Sequence, residues 1–254
     1  MSATKLTRLL NGETVKSSLT YPISIALRTT VLRAGLAFVK WKADGFPDRD
    51  IHNTAIALRQ LLEAGTLCLL NRTDPFRTLA LYKSQVNNRY SLTKRNLIAI
   101  QWAGDILPDS KSEKAFTGEM DPKELNRALF SKHSDEFIWT PGIGMFVEYL
   151  ASNSPSSSWE TQLVDEDPIA FNTKSRSQLN GIFSTVSKLV HVEWLISEKL
   201  LLDVDTLRTN IQSAIYLLSV YSAALSMCDL SIDNLQPSVA LRCFRATEKV
   251  FGSI

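Results

Sequence analysis

Ala57-Leu58-Arg59-Gln60-Leu61-Leu62-Glu63-Ala64 lies inside a stretch, from Asp48 to Leu70, that reads as one unusually apolar helix. A helix that is apolar over most of its surface has to be enclosed by other elements, so this one is expected at the centre of a helical bundle. Asp48 or Asp50 is placed to cap it, since a carboxylate there accepts the orphan amide hydrogens of the first turn.

The neighbouring segments extend the pattern. Tyr21-Pro22 opens a helix to Lys42 with Ile25, Leu32, Leu36 and Val39 spaced as an apolar stripe, and Gly45-Phe46-Pro47 breaks it. Asp74-Pro75 joins a cap to a first-turn proline and predicts a helix to about Val86. Further helices are expected over 93–106, over 121–133 behind Asp121, Pro122 and Glu124, and from Pro141 to Ala151. Residues 108–118 are polar and read as a surface loop. Two long helices, 177–201 and 206–228, are expected to form an antiparallel hairpin, and Pro237 opens a last helix to Phe251. Residues 152–176, with Ser154-Pro155-Ser156-Ser157-Ser158 and the acidic Asp165-Glu166-Asp167, read as a flexible loop. The expected architecture is all-α: a multi-helix bundle of about eight or nine helices in a single domain over 1–254, with the hairpin in its C-terminal half.

Composition supports an ordinary folded chain. Of 254 residues, 44% are hydrophobic and 21% charged, and only 10 are glycine, too few for an all-β protein with many tight turns. A formal charge of +2 announces no large electrostatic footprint for nucleic acid or an anionic membrane. The local basic run Arg72, Arg77, Lys83, Arg89, Lys94 and Arg95 reads first as a solvated helix face and second as a phosphate-binding surface. Cys68, Cys228 and Cys243 sit in apolar helical contexts and read as buried thiols of a reducing compartment. With no CxxC pair and three histidines, no metal or cofactor is expected. No segment approaches the roughly 20 apolar residues of a membrane span, so a cytoplasmic location without membrane contact is expected.

Two constellations combine charge with an apolar setting. Arg59 and Glu63, four apart, share a helix face flanked by residues that seek burial. Partly desolvated charges have to be paired, so the pair reads first as a structural ion pair and second as part of a site. On the seventh helix Ser184, Ser187 and Lys188 precede His191 on one side, beside the apolar Phe183, Val186, Val190 and Trp194. His191 reads first as a packing histidine and second as a proton-transfer group.

Arg59-Gln60-Leu61-Leu62-Glu63 and Ser187-Lys188-Leu189-Val190-His191 resemble the Arg-x-x-x-Glu and Ser-x-x-x-His signatures of bacterial all-helical proteins loosely related to the HEPN superfamily. The resemblance implies a toxin or phage-defence setting and, for the ribonucleases of that group, metal-independent RNA cleavage by a histidine and an arginine across a homodimer. The matching ribonuclease signature would fall on Arg127 to His133, where Ala128 replaces the polar residue that follows arginine. RNA carries its own 2′-hydroxyl nucleophile, so such a site needs a base and a cation. The pairs offered are Arg127 with His133, or Arg59 with His191. The primary expectation is a helical interaction module with a protein partner or homodimer, in a defence or nucleic-acid-linked system. The alternative is a HEPN-like ribonuclease with RNA as substrate.

Overall fold

The computed structural model describes residues 3–85, 134–190 and 202–254. Among the described residues there are nine α-helices and no strand: α1 (Ala3–Asn11), α2 (Tyr21–Ala43), α3 (Ile51–Thr73), α4 (Pro75–Gln85), α5 (Thr140–Ser152), α6 (Ser158–Val164), α7 (Pro168–Val190), α8 (Val204–Leu225) and α9 (Pro237–Phe251). A π-helical turn, Asp135–Trp139, leads into α5. The protein is an all-α multi-helix bundle.

The apolar stretch that predicts a central helix is α3. Leu58, Leu61, Leu62 and Leu69 are inaccessible to solvent, and α3 packs against α1, α2, α4, α7 and α8. Its partner at the centre is α8, where every residue from Ala214 to Leu225 is buried. Helices α7 and α8 run antiparallel: Tyr221 near the end of α8 donates to Asn172 Oδ1 near the start of α7 at 2.8 Å, while Gln212 earlier on α8 lines a cleft with Gln178. The residues between them, 191–201, lie outside the described residues, as do the expected helices over 93–106 and 121–133 and the 108–118 loop.

Four expectations need correction. Residues 152–176 are not one loop, since α6 and the first turns of α7 occupy most of them. Ser157 Oγ accepts from Glu160 N while the Glu160 carboxylate accepts from Ser156 N, a reciprocal cap that starts α6. Asp167 Oδ1 accepts from Ala170 N at 2.8 Å, so Asp167-Pro168 starts α7 as Asp74-Pro75 starts α4, where Asp74 Oδ1 accepts from Arg77 N. An unanticipated helix, α1, buries Leu6, Leu9 and Leu10 completely.

Asp50, at the N-cap of α3, makes no side-chain cap hydrogen bond; a short 3-10 turn, Asp48–Asp50, leads into the helix. Finally, α2 is by length and composition apolar enough to cross a bilayer, contrary to the expectation that no stretch comes near that. In the bundle it packs on α1 and α3 through Ile23, Leu27, Val31, Ala34, Phe38 and Trp41.

Candidate functional site

Arg59 and Glu63 face each other one turn apart on α3. Arg59 Nε donates to Glu63 Oε1 at 3.1 Å, with the two side chains 24% and 41% exposed, and the guanidinium lies 5.7 Å from the ring centre of Phe183 on α7. The arrangement satisfies a half-buried cation by a carboxylate and an aromatic face, and it ties α3 to α7. Ser187, one turn beyond Phe183, has its Oγ buried with no hydrogen-bond partner. His191, Arg127 and His133 lie outside the described residues, so neither proposed His/Arg pair has both members described.

The basic run does not form a phosphate surface at its first two members. Arg72 is fully buried and Arg77 is 8% exposed, where a phosphate-binding cation has to face solvent. Arg77 Nη2 pairs with Asp74 Oδ2 at 2.9 Å across the α4 cap. Lys83 lies on α4, and Arg89, Lys94 and Arg95 are outside the described residues.

Arg72 instead organises the interior. Its Nη1 donates to the Leu9 carbonyl at 3.3 Å, the Ser222 carbonyl at 3.2 Å and Ser222 Oγ at 2.7 Å. Its Nη2 donates to Ser226 Oγ and Asn234 Oδ1, each at 3.2 Å. The Arg72 carbonyl accepts from Ile232 N at 2.8 Å. One guanidinium therefore joins α1, α3, α8 and the 228–236 connection. Burial pulls its pKa down to about 10, against the opposing pull of Cys68 and Asp233; burial likewise raises the Asp233 pKa, against Arg72. All three cysteines are free and buried, and burial pushes the Cys68 thiol up to about 12, which keeps it protonated and inert.

The largest difference between expected and observed side-chain placement falls on α2. The stripe Ile25, Leu32, Leu36 and Val39 is helically spaced as the sequence indicates, but the deeply buried side of the helix is the opposite one, through Val31, Ala34 and Phe38. Ile25 is 39% and Leu36 52% exposed, while Leu32 and Val39 are half-buried and pack against the core. Both spacings are helical, so periodicity alone detects two apolar faces and does not rank them; bulk ranks them, because Phe38 and Trp41 lie on the inner face. Arg28 flanks the outer seam on one side, Arg33 and Lys40 on the other, all exposed. Thr29, within the seam, has its hydroxyl satisfied by the Ile25 carbonyl at 2.9 Å. This face is the candidate interaction surface.

A concave feature, of about 310 Å³, lies between α6, α7, α8 and the C-terminal residues. Trp159, Phe171 and Tyr216 form its aromatic wall, with Trp159 and Tyr216 ring centres 5.2 Å apart. Its polar groups are largely committed: Lys174 Nζ lies 3.6 Å from Glu166 Oε1, and Gln212 Nε2 donates to the Gly252 and Ile254 carbonyls. Among the described residues no group of three or more His, Cys, Asp or Glu side chains converges to hold a metal ion. No family model, curated protein or solved structure matches the chain.

Proposed function

We propose that the chain is a helical interaction module that binds a protein partner through the outer face of α2. The observation that carries this reading is the exposure of Ile25 and Leu36 on the side of α2 opposite its buried face, aligned with Leu32 and Val39, which are partly buried against the core. A surface helix of a bundle ordinarily carries one apolar stripe, and a second one facing solvent marks a contact face.

Energetics set what this face can do alone. Burying the exposed parts of Ile25 and Leu36 contributes about 1 kcal/mol each, taking roughly 1.5–3 kcal/mol for a full side chain. Association costs at least about 4 kcal/mol of lost motional freedom, so the seam needs polar or ionic contacts on its flanks to hold a partner. The role requires no reacting group, which fits the Arg59–Glu63 ion pair and the buried Arg72. A defence or nucleic-acid-linked setting enters the proposal only through the HEPN-like resemblance.

The test is retention of mixed RNA and of candidate partners by the wild type and by Leu36→Glu, with RNA integrity followed in chelator. Partner capture lost in Leu36→Glu, with RNA intact, supports the module. Metal-independent cleavage of the RNA would replace this reading with the ribonuclease one.

A further inference from the structure

Resting on that reading, we infer that the partner of α2 is an amphipathic helix whose own apolar seam is flanked by aspartate and glutamate. The seam is narrow and straight. Ile25, Leu32 and Val39 recur every seven residues and alternate with Thr29 and Leu36, the spacing of a helix-packing row, in which Ile25 and Leu36 are exposed and Leu32 and Val39 partly buried against the core. Thr29 adds little burial cost to that row, because its hydroxyl already bonds to the Ile25 carbonyl.

Charge selects the kind of helix. Tyr21–Ala43 contains no aspartate or glutamate, and every charged residue on it is Arg28, Arg33, Lys40 or Lys42. Lys42 is used within the fold, donating to Ser253 Oγ at 2.8 Å, which leaves Arg28, Arg33 and Lys40 bordering the seam. A second copy of this chain brings the same cations to the same border, parallel or antiparallel, with no carboxylate on the helix to meet them. Like charges across a helix pair destabilise it, so the seam is built against self-pairing and for an acidic partner.

An anionic bilayer also offers negative charge, but geometry favours a helix. An interfacial helix sinks a broad apolar side into the headgroup boundary. Here the apolar row is bordered by Arg28 on one side and by Arg33 and Lys40 on the other, and the opposite side of α2, through Ile23, Leu27, Val31, Ala34, Phe38 and Trp41, is buried in the bundle.

The test uses the full chain and a three-heptad helical peptide with leucine at the a and d positions and glutamate at e and g, followed by fluorescence anisotropy. A matched peptide with lysine at e and g, and vesicles of phosphatidylserine and phosphatidylcholine, serve as the competing probes. The expected result is saturable binding of the glutamate peptide, weakened roughly tenfold by Leu36→Glu and by raised salt, with the lysine peptide at least roughly tenfold weaker. Arg33→Glu, which leaves the border with Arg28 and Lys40 against one carboxylate, is expected to narrow the preference between the two peptides, and the triple Arg28→Glu, Arg33→Glu, Lys40→Glu variant to reverse it, which a merely sticky face would not do. Equal binding of both peptides, or tighter binding to the vesicles, overturns the acidic-helix assignment while leaving α2 as the contact face. Absence of any binding at α2, with Leu36→Glu folded and indistinguishable from wild type toward every probe, overturns both readings.

Discussion

Arg72 Nη1 donates to Ser222 Oγ at 2.7 Å inside a fully buried pocket, linking residues 150 positions apart in the chain. The same hydroxyl bonds to the Leu9 carbonyl, so the contact gathers three helices at one point. The hydrogen-bonded partners of Arg72 are uncharged, and a buried acceptor left without its donor costs about 1–3 kcal/mol, so loss of a guanidinium that serves several of them costs roughly 3–5 kcal/mol in total. Arg72→Met is expected to destabilise the fold by that amount in chemical denaturation. Arg72→Lys is expected to fail as well, losing at least about 2 kcal/mol, since one ammonium cannot reach acceptors spread around a planar fork. Full stability in Arg72→Lys would show that charge alone matters there.

Gly12 supplies a second stability test. Its φ is +70°, and a Cβ placed there would lie 1.8 Å from the Asp233 carbonyl oxygen, which accepts from Glu13 N at 2.8 Å. Both strain and collision forbid a side chain, so Gly12→Ala is expected to cost more than about 2 kcal/mol. A thermal midpoint unchanged from wild type would contradict the geometry.

The Glu160–Arg245 pair makes stability depend on pH. Burial opposes ionisation of Glu160, but hydrogen bonds from Arg245 and Ser156 outweigh it and hold the carboxyl below its ordinary value of 4.5. A carboxyl with a depressed folded pKa contributes its full stabilisation above the unfolded value and loses it as pH falls through the folded one. Stability is therefore expected to fall as the solution is acidified below 4.5. Glu160→Gln is expected to be less stable at neutral pH, by about 2 kcal/mol, and to show a shallower acid dependence, read from denaturant midpoints across that range.

Tyr216 predicts the opposite sign. Its hydroxyl is buried without a hydrogen-bond partner, and burial, then the nearby carboxylates of Glu166 and Glu248, raise its pKa far above the ordinary phenol value. Deleting an unsatisfied polar group removes a penalty, so Tyr216→Phe is expected to leave stability unchanged or raise it by up to about 1 kcal/mol. A loss beyond about 1 kcal/mol would mean the hydroxyl has a partner.

Leu36→Glu, used above as the interaction variant, has to be structurally silent to be informative. At 52% exposure Leu36 contributes little to the fold, and a shift within about 0.5 kcal/mol is expected by denaturation.

Much of the fold is legible in the sequence, because helix starts are local chemistry. Asp74-Pro75 and Pro237 each announce a helix start that the structure contains, while Pro141 falls just inside α5, which follows directly on the π-helical turn Asp135–Trp139. The same grammar stands at Ser157-x-x-Glu160 and Asp167-Pro168, yet the serine run and the acidic triplet around them suggest a loop by composition. Local capping wins there because each cap closes hydrogen bonds at once, whereas composition expresses only an average preference. The site was less legible. Whether Arg72 faces water depends on Leu9, Ser222, Ser226 and Asn234, partners far away in sequence. For α2, two helical stripes compete, and only the position of α1 and α3 decides which one turns inward.

The knot around Arg72 also constrains the order of events during synthesis. Leu9 and Arg72 leave the ribosome early, but Ser222, Ser226 and Asn234 follow some 150 residues later. At about 5–20 residues per second the nascent chain spends on the order of ten seconds with this arginine lacking most of its acceptors. The bonds from Arg72 to Ser222, Ser226 and Asn234 therefore form only once the C-terminal helices have been made, whereas the packing of α1, α2 and α3 on one another draws on residues already present.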